Sequence, residues 1–167
     1  CEANGLESEV APMSEWMKYT TQRNLEDAWA NRQIKRFLKG LLRKWALYHY
    51  DSRVASWFDE LVHEREPDTK ELLAASGPYL PSRCGSEAVL SLGSGIRQMR
   101  DPHYAGVISV MPHGCMPGGI VAAIAEQISK EYGHKPWTSL TYDGFPDKVN
   151  PERVADLAEQ LKHKRRD

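Results

Sequence analysis

The sequence predicts an α/β fold: a small Rossmann-like parallel sheet of βαβα order, with a long helical insertion in the N-terminal half. Three observations carry that expectation. Val107, Ile108 and Val110 form a β-branched run, bounded by Gly106 and Pro112, that is too short for a helix and reads as a buried strand. From Pro117 onward Ile120, Val121, Ile124 and Ile128 recur at helical spacing, and Pro117 suits a first helical turn. A second extended run, Pro136 to Tyr142, then precedes another helical pattern. Short loops between these elements make the two strands parallel neighbours, joined by a right-handed crossover.

The elements follow in order. Val10 is expected to close a short strand before Ala11 and Pro12, and Ser14 to cap a helix from Glu15 that carries Trp16, Met17 and Tyr19. Residues 24–76 form the helical insertion. Within it Leu25, Trp29, Ile34, Phe37, Leu38, Leu41, Leu42 and Trp45 recur mostly at three- and four-residue steps. A break is expected at Tyr50-Asp51-Ser52, where Asp51 or Ser52 would cap a second helix bearing Val54, Trp57, Phe58, Leu61 and Val62. Helical spacing assigns the tryptophans to core or interdomain packing. Lys35, Arg36, Lys39, Arg43 and Lys44 read as a solvated face, turned in part to a partner domain.

Glu66-Pro67-Asp68 opens a short helix through Leu72 and Leu73 that stops at Ser76-Gly77-Pro78. Ser86 is the expected cap of a helix with Val89, Leu90 and Ile96 on its apolar face. Gly93 and Gly95 lack the preceding strand and the third glycine of a dinucleotide fingerprint, so they read as small residues for close packing. Gly133 suits a left-handed C-cap, and Asn150-Pro151 an N-cap and first residue for the last helix.

A chain of 167 residues is long enough for one domain with a core, so residues 1–167 are expected to form a single α/β domain. With 22 basic and 23 acidic side chains the net charge is -1, which supplies no field toward nucleic acid or an anionic membrane. No apolar run approaches the ~20 residues of a membrane span, and no signal-peptide order is visible, so a cytoplasmic location is expected. The three cysteines, Cys1, Cys84 and Cys115, are widely spaced and odd in number, which argues against a disulfide framework and against a self-contained metal site.

Ligands of open parallel sheets lie at the carboxyl ends of the strands, where Cys115 and Asp143 both fall. Cys115 sits on a strand-to-helix turn. Backbone N–H groups and the helix dipole at such a turn favour thiolate over thiol. Gly114, Gly118 and Gly119 carry no β-carbon and leave room for an inorganic or phosphate-bearing ligand against the main chain. The plain alternative is a small packed cysteine. Glu87 is a candidate carboxylate or a helix N-terminal residue, and Asp143 a candidate carboxylate or a turn residue beside Gly144. Pairing His113 as base with Cys115 as nucleophile is the weaker chemistry, because residues two apart across a turn rarely place imidazole on thiol.

Together, SEAVLSLG at 86–93, GVISVMPHGCMPGGIV at 106–121 and LTYDG at 140–144 resemble the C-terminal part of the activase-related proteins allied to 2-hydroxyacyl-CoA dehydratases. VAPMSEWMKY near the start is a looser fit. Where that family commonly has an aromatic before Gly-Cys, this chain has His113. The resemblance implies a parent protein that joins an ATPase activator to dehydratase-like domains and takes part in ATP-driven, low-potential electron transfer. It also implies that Cys115 is one ligand of a 4Fe-4S cluster, flanked by Gly114, Gly118 and Gly119, with the remaining ligands supplied by other domains, Cys1 and Cys84 left open as further ligands, and no cluster held by the isolated fragment. Glu87 and Asp143 would face cluster or substrate, and the implied partners are other domains of the parent chain and an acyl-CoA. The opening at Cys1 is read as that of a C-terminal fragment. The alternative expectation is a structural or interaction domain without metal.

Overall fold

The computed structural model describes residues 1–57, 67–84, 86–145 and 149–164. Among them are six α-helices: α1 (Met13–Ala30), α2 (Ile34–Trp57), α3 (Thr69–Ser76), α4 (Glu87–Arg100), α5 (Met116–Glu131) and α6 (Val149–Lys164). Two strands, β1 (Val107–Pro112) and β2 (Trp137–Tyr142), make the one sheet seen among the described residues. The predicted Rossmann-like fold is therefore wrong at the level of class. Among the described residues the protein is mostly helical, and its sheet has two strands.

The missing strand has a physical cause. Residues Glu7 to Pro12 are all exposed, whereas a strand of a parallel sheet is buried on both faces. Pro12 also offers no N–H to a neighbour, and it serves instead as the N-cap of α1, which begins at Met13 rather than Glu15.

The chain divides into two compact units, residues 11–71 and residues 1–10 with 72–167. In the first, α1 and α2 pack as a helical hairpin. Their break lies at Asn31-Arg32-Gln33 and not at the predicted Tyr50-Asp51-Ser52: the backbone and side-chain N–H groups of Asn31 both donate to Asp27 O, and Arg32 turns the chain at φ 54°. Asp51 instead forms an ion pair with Lys18 at 2.6 Å, and Ser52 Oγ bonds back to His49 O, so the helix runs through. Phe58, Leu61 and Val62 lie outside the described residues.

In the second unit Leu92, Ile96 and Met99 of α4 pack with Ala75, Val107, Val121 and Ile128. Ser86 caps α4 as predicted, its Oγ accepting from Ala88 N at 3.0 Å. The strands pair in parallel, as the chain order implies, with Val107 opposite Trp137 and Pro112 opposite Tyr142. Val107 N–H donates to Pro136 O and His113 N–H to Tyr142 O, so alternate residues Ser139 and Thr141 turn their carbonyls away from β1. Side chains of α6 meet them: Arg153 Nη1 donates to Ser139 O at 2.8 Å and Asn150 Nδ2 to Thr141 O at 2.7 Å. Asn150, predicted as a cap, is thus a buried residue that seals the outer edge of β2.

Candidate functional site

The carboxyl end of the sheet is built by two turns. After β1, Cys115 N–H donates to Pro112 O at 3.2 Å, closing a β-turn whose third residue, Gly114, stands at φ 71°. A side chain there would strain the backbone, which is why the position is glycine. Cys115 is the N-cap of α5, half-buried and a free thiol, and its carbonyl accepts the first helical bond from Gly119 N at 2.9 Å. Its side chain makes no capping bond, so the sulfur is not spent on its own helix.

The three glycines around it differ in use. A β-carbon on Gly114 or Gly119 would meet nothing within 4 Å, so the main chain is open on that side. A β-carbon on Gly118 would collide with the sulfur of Met111, so Gly118 is there for the packing of α5 on β1. His113 is exposed, and no hydrogen bond joins it to Cys115 among the described residues.

After β2, Asp143 Oδ1 accepts from Phe145 N at 3.0 Å and Gly144 takes φ 88°. The carboxylate thus holds its own turn. Because Pro112 pairs with Tyr142, Cys115 and Asp143 lie at the same end of the sheet. Glu87 is elsewhere in chain and role: it is the exposed first residue of α4, where an acidic side chain complements the helix dipole.

The fit to an iron–sulfur cluster follows from these positions. One cysteine with open main chain beside it matches one ligand position. A whole cluster is not matched, since no group of three or more His, Cys, Asp or Glu that could hold a metal occurs among the described residues. Cys1 and Cys84 are exposed thiols outside any such group.

A second exposed surface lies in the helical insertion, where the core half of the tryptophan expectation fails and the interdomain half stays open. Trp16, Trp29, Trp45 and Trp57, assigned to core or interdomain packing, are 41%, 72%, 64% and 77% exposed. No residue of α2 is buried. The signal lay in the absence of acidic residues from Ile34 to Tyr50, which sets basic side chains beside the apolar stripe rather than opposite an enclosed core.

Comparison with family models, with curated proteins and with solved structures finds no match to the chain. No helix among the described residues is long and apolar enough to cross a membrane.

Proposed function

We propose that the chain is part of an activase-related protein allied to the 2-hydroxyacyl-CoA dehydratases, and that Cys115 supplies one thiolate to an iron–sulfur cluster completed by ligands from other domains of the parent protein. The observation that carries this reading is a free, half-buried thiol where a parallel strand turns into a helix, with open main chain at Gly114 and Gly119. Such a turn offers N–H groups toward sulfur, and hydrogen bonds of that kind tune the potential of a bound cluster. When bound, the cluster would supply single electrons at low potential for dehydration of an acyl-CoA. This chain's own part is to hold the sulfur and to leave one side of the turn uncovered.

The exposed aromatic face of α2 favours a second reading, in which the chain is a docking module and Cys115 carries no metal. Anaerobic purification of the full-length protein separates the two. The first expects iron and acid-labile sulfide with visible absorption, both lost on Cys115→Ser. A colourless wild-type protein, or iron content unchanged by Cys115→Ser, overturns it.

A further inference from the structure

We propose that the outer face of α2 docks an acidic amphipathic helix of a partner. This inference is independent of the role of Cys115. Ile34, Leu38, Leu41 and Trp45 follow one another at four- and three-residue steps and are 70%, 59%, 43% and 64% exposed, so they form a continuous apolar stripe. The adjoining flank of α2, which Lys44 borders, is already used against α1. There Gly40 comes so close to Leu25 that an added β-carbon would stand 2.7 Å from Cδ2, and Lys44 Nζ donates to Gln22 Oε1 at 2.8 Å.

The stripe has relief as well as area. Leu41, Trp45 and His49 make one four-residue ridge, Lys44 and Tyr48 the next, and between them runs an open groove of about 490 Å³. Its walls are set in advance. The Trp45 and His49 rings stack at 5.4 Å and 10°, and the Lys44 ammonium lies 5.7 Å from the centre of the Tyr48 ring. A row of side chains from another helix fills such a groove, whereas a flat lipid surface does not.

Charge selects the kind of helix. From Ile34 to Tyr50 there are five basic residues, Lys35, Arg36, Lys39, Arg43 and Lys44, and no acidic one. None of the five is ion-paired among the described residues. At 3.6 residues per turn Lys35 falls on one edge of the stripe and Lys44 on the other. A partner with Asp or Glu along both edges of its apolar face is therefore complementary, and a second copy of this chain would set like charges against each other.

The test uses a synthetic helix of leucine at helical spacing with glutamate edges, the same peptide with lysine edges, and phosphatidylglycerol vesicles. Each is titrated against the intact chain while tryptophan emission is followed. The acidic peptide is expected to bind and blue-shift the emission, to weaken with salt, and to lose about tenfold or more in affinity on Trp45→Ala. Lys35→Glu with Lys44→Glu, whose helix content is checked by circular dichroism, is expected to move preference to the lysine-edged peptide. Equal binding of both peptides, binding of vesicles but not of the acidic peptide, or self-association abolished by Leu38→Glu would overturn the proposal.

Discussion

A β-carbon at Gly93 would run into the carbonyl oxygen of Leu72, and one at Gly95 into the indole of Trp137. The first obstacle is backbone and cannot swing aside. Gly93→Ala is therefore expected to lower stability by about 1–3 kcal/mol, read as a lower urea midpoint. Gly40→Ala is the contrast, because its obstacle is the flexible tip of Leu25 and a helix interior gains about 0.8–1 kcal/mol from alanine over glycine. It is expected to leave stability unchanged or raise it. The spacing of Gly93 and Gly95 was legible as a demand for close packing, but their two different neighbours were not, since both come from distant parts of the chain. A titrating pair adds a pH dependence. Tyr79 OH donates to Glu131, and that bond, followed by one from Gln127, holds the Glu131 carboxyl below its ordinary 4.5. Burial first, then the same bond, raises the Tyr79 hydroxyl above its ordinary 10.0. A lowered carboxylate stabilises above 4.5 and loses that contribution as pH falls; a raised phenol stabilises below 10.0 and loses it as pH rises. Urea midpoints are expected to fall in both directions, and Tyr79→Phe to flatten both arms.

At the scale of elements, caps and glycine stops were readable because they are local. Ser86 before α4, Gly133 after α5 and Gly77 after α3 each act over a few residues, and the chain turns or starts at each of them. The hairpin break was misread because Asp51 has two uses available to it. A sequence shows its capping tendency, while the ion pair with Lys18 depends on α1 folding back beside α2. Trp137 is a similar case. Its indole N–H donates to Ser109 Oγ at 2.6 Å across the strand pair, a contact fixed by register rather than by residue type. At the cysteine turn the order of elements was sound, and the uses of neighbouring glycines were not separable. Gly118 could be assigned to Met111 only once α5 lay on β1.

Across the whole molecule, burial is uneven. In α4 eight residues are buried, Ala88, Val89, Leu90, Leu92, Gly93, Gly95, Ile96 and Met99, whereas α2 buries none. Local openings follow that distribution. Hydrogen exchange is expected to be slowest in α4 and β1 and at least tenfold faster, to about that order, in α2; equal protection of the two helices would contradict this. Fold class was the least legible property, because periodicity reports on single elements and not on how many strands assemble. The two strands were visible, and a third was inferred from a segment, Glu7 to Pro12, whose residues are all exposed. The sealed flank of β2 bears on a different matter, the resistance of the chain to fibre growth. Ribbon-like polymers extend only when each added copy offers a fresh template on its far side. With Asn150 and Arg153 occupying the Thr141 and Ser139 carbonyls, that flank offers an added copy two fewer free acceptors.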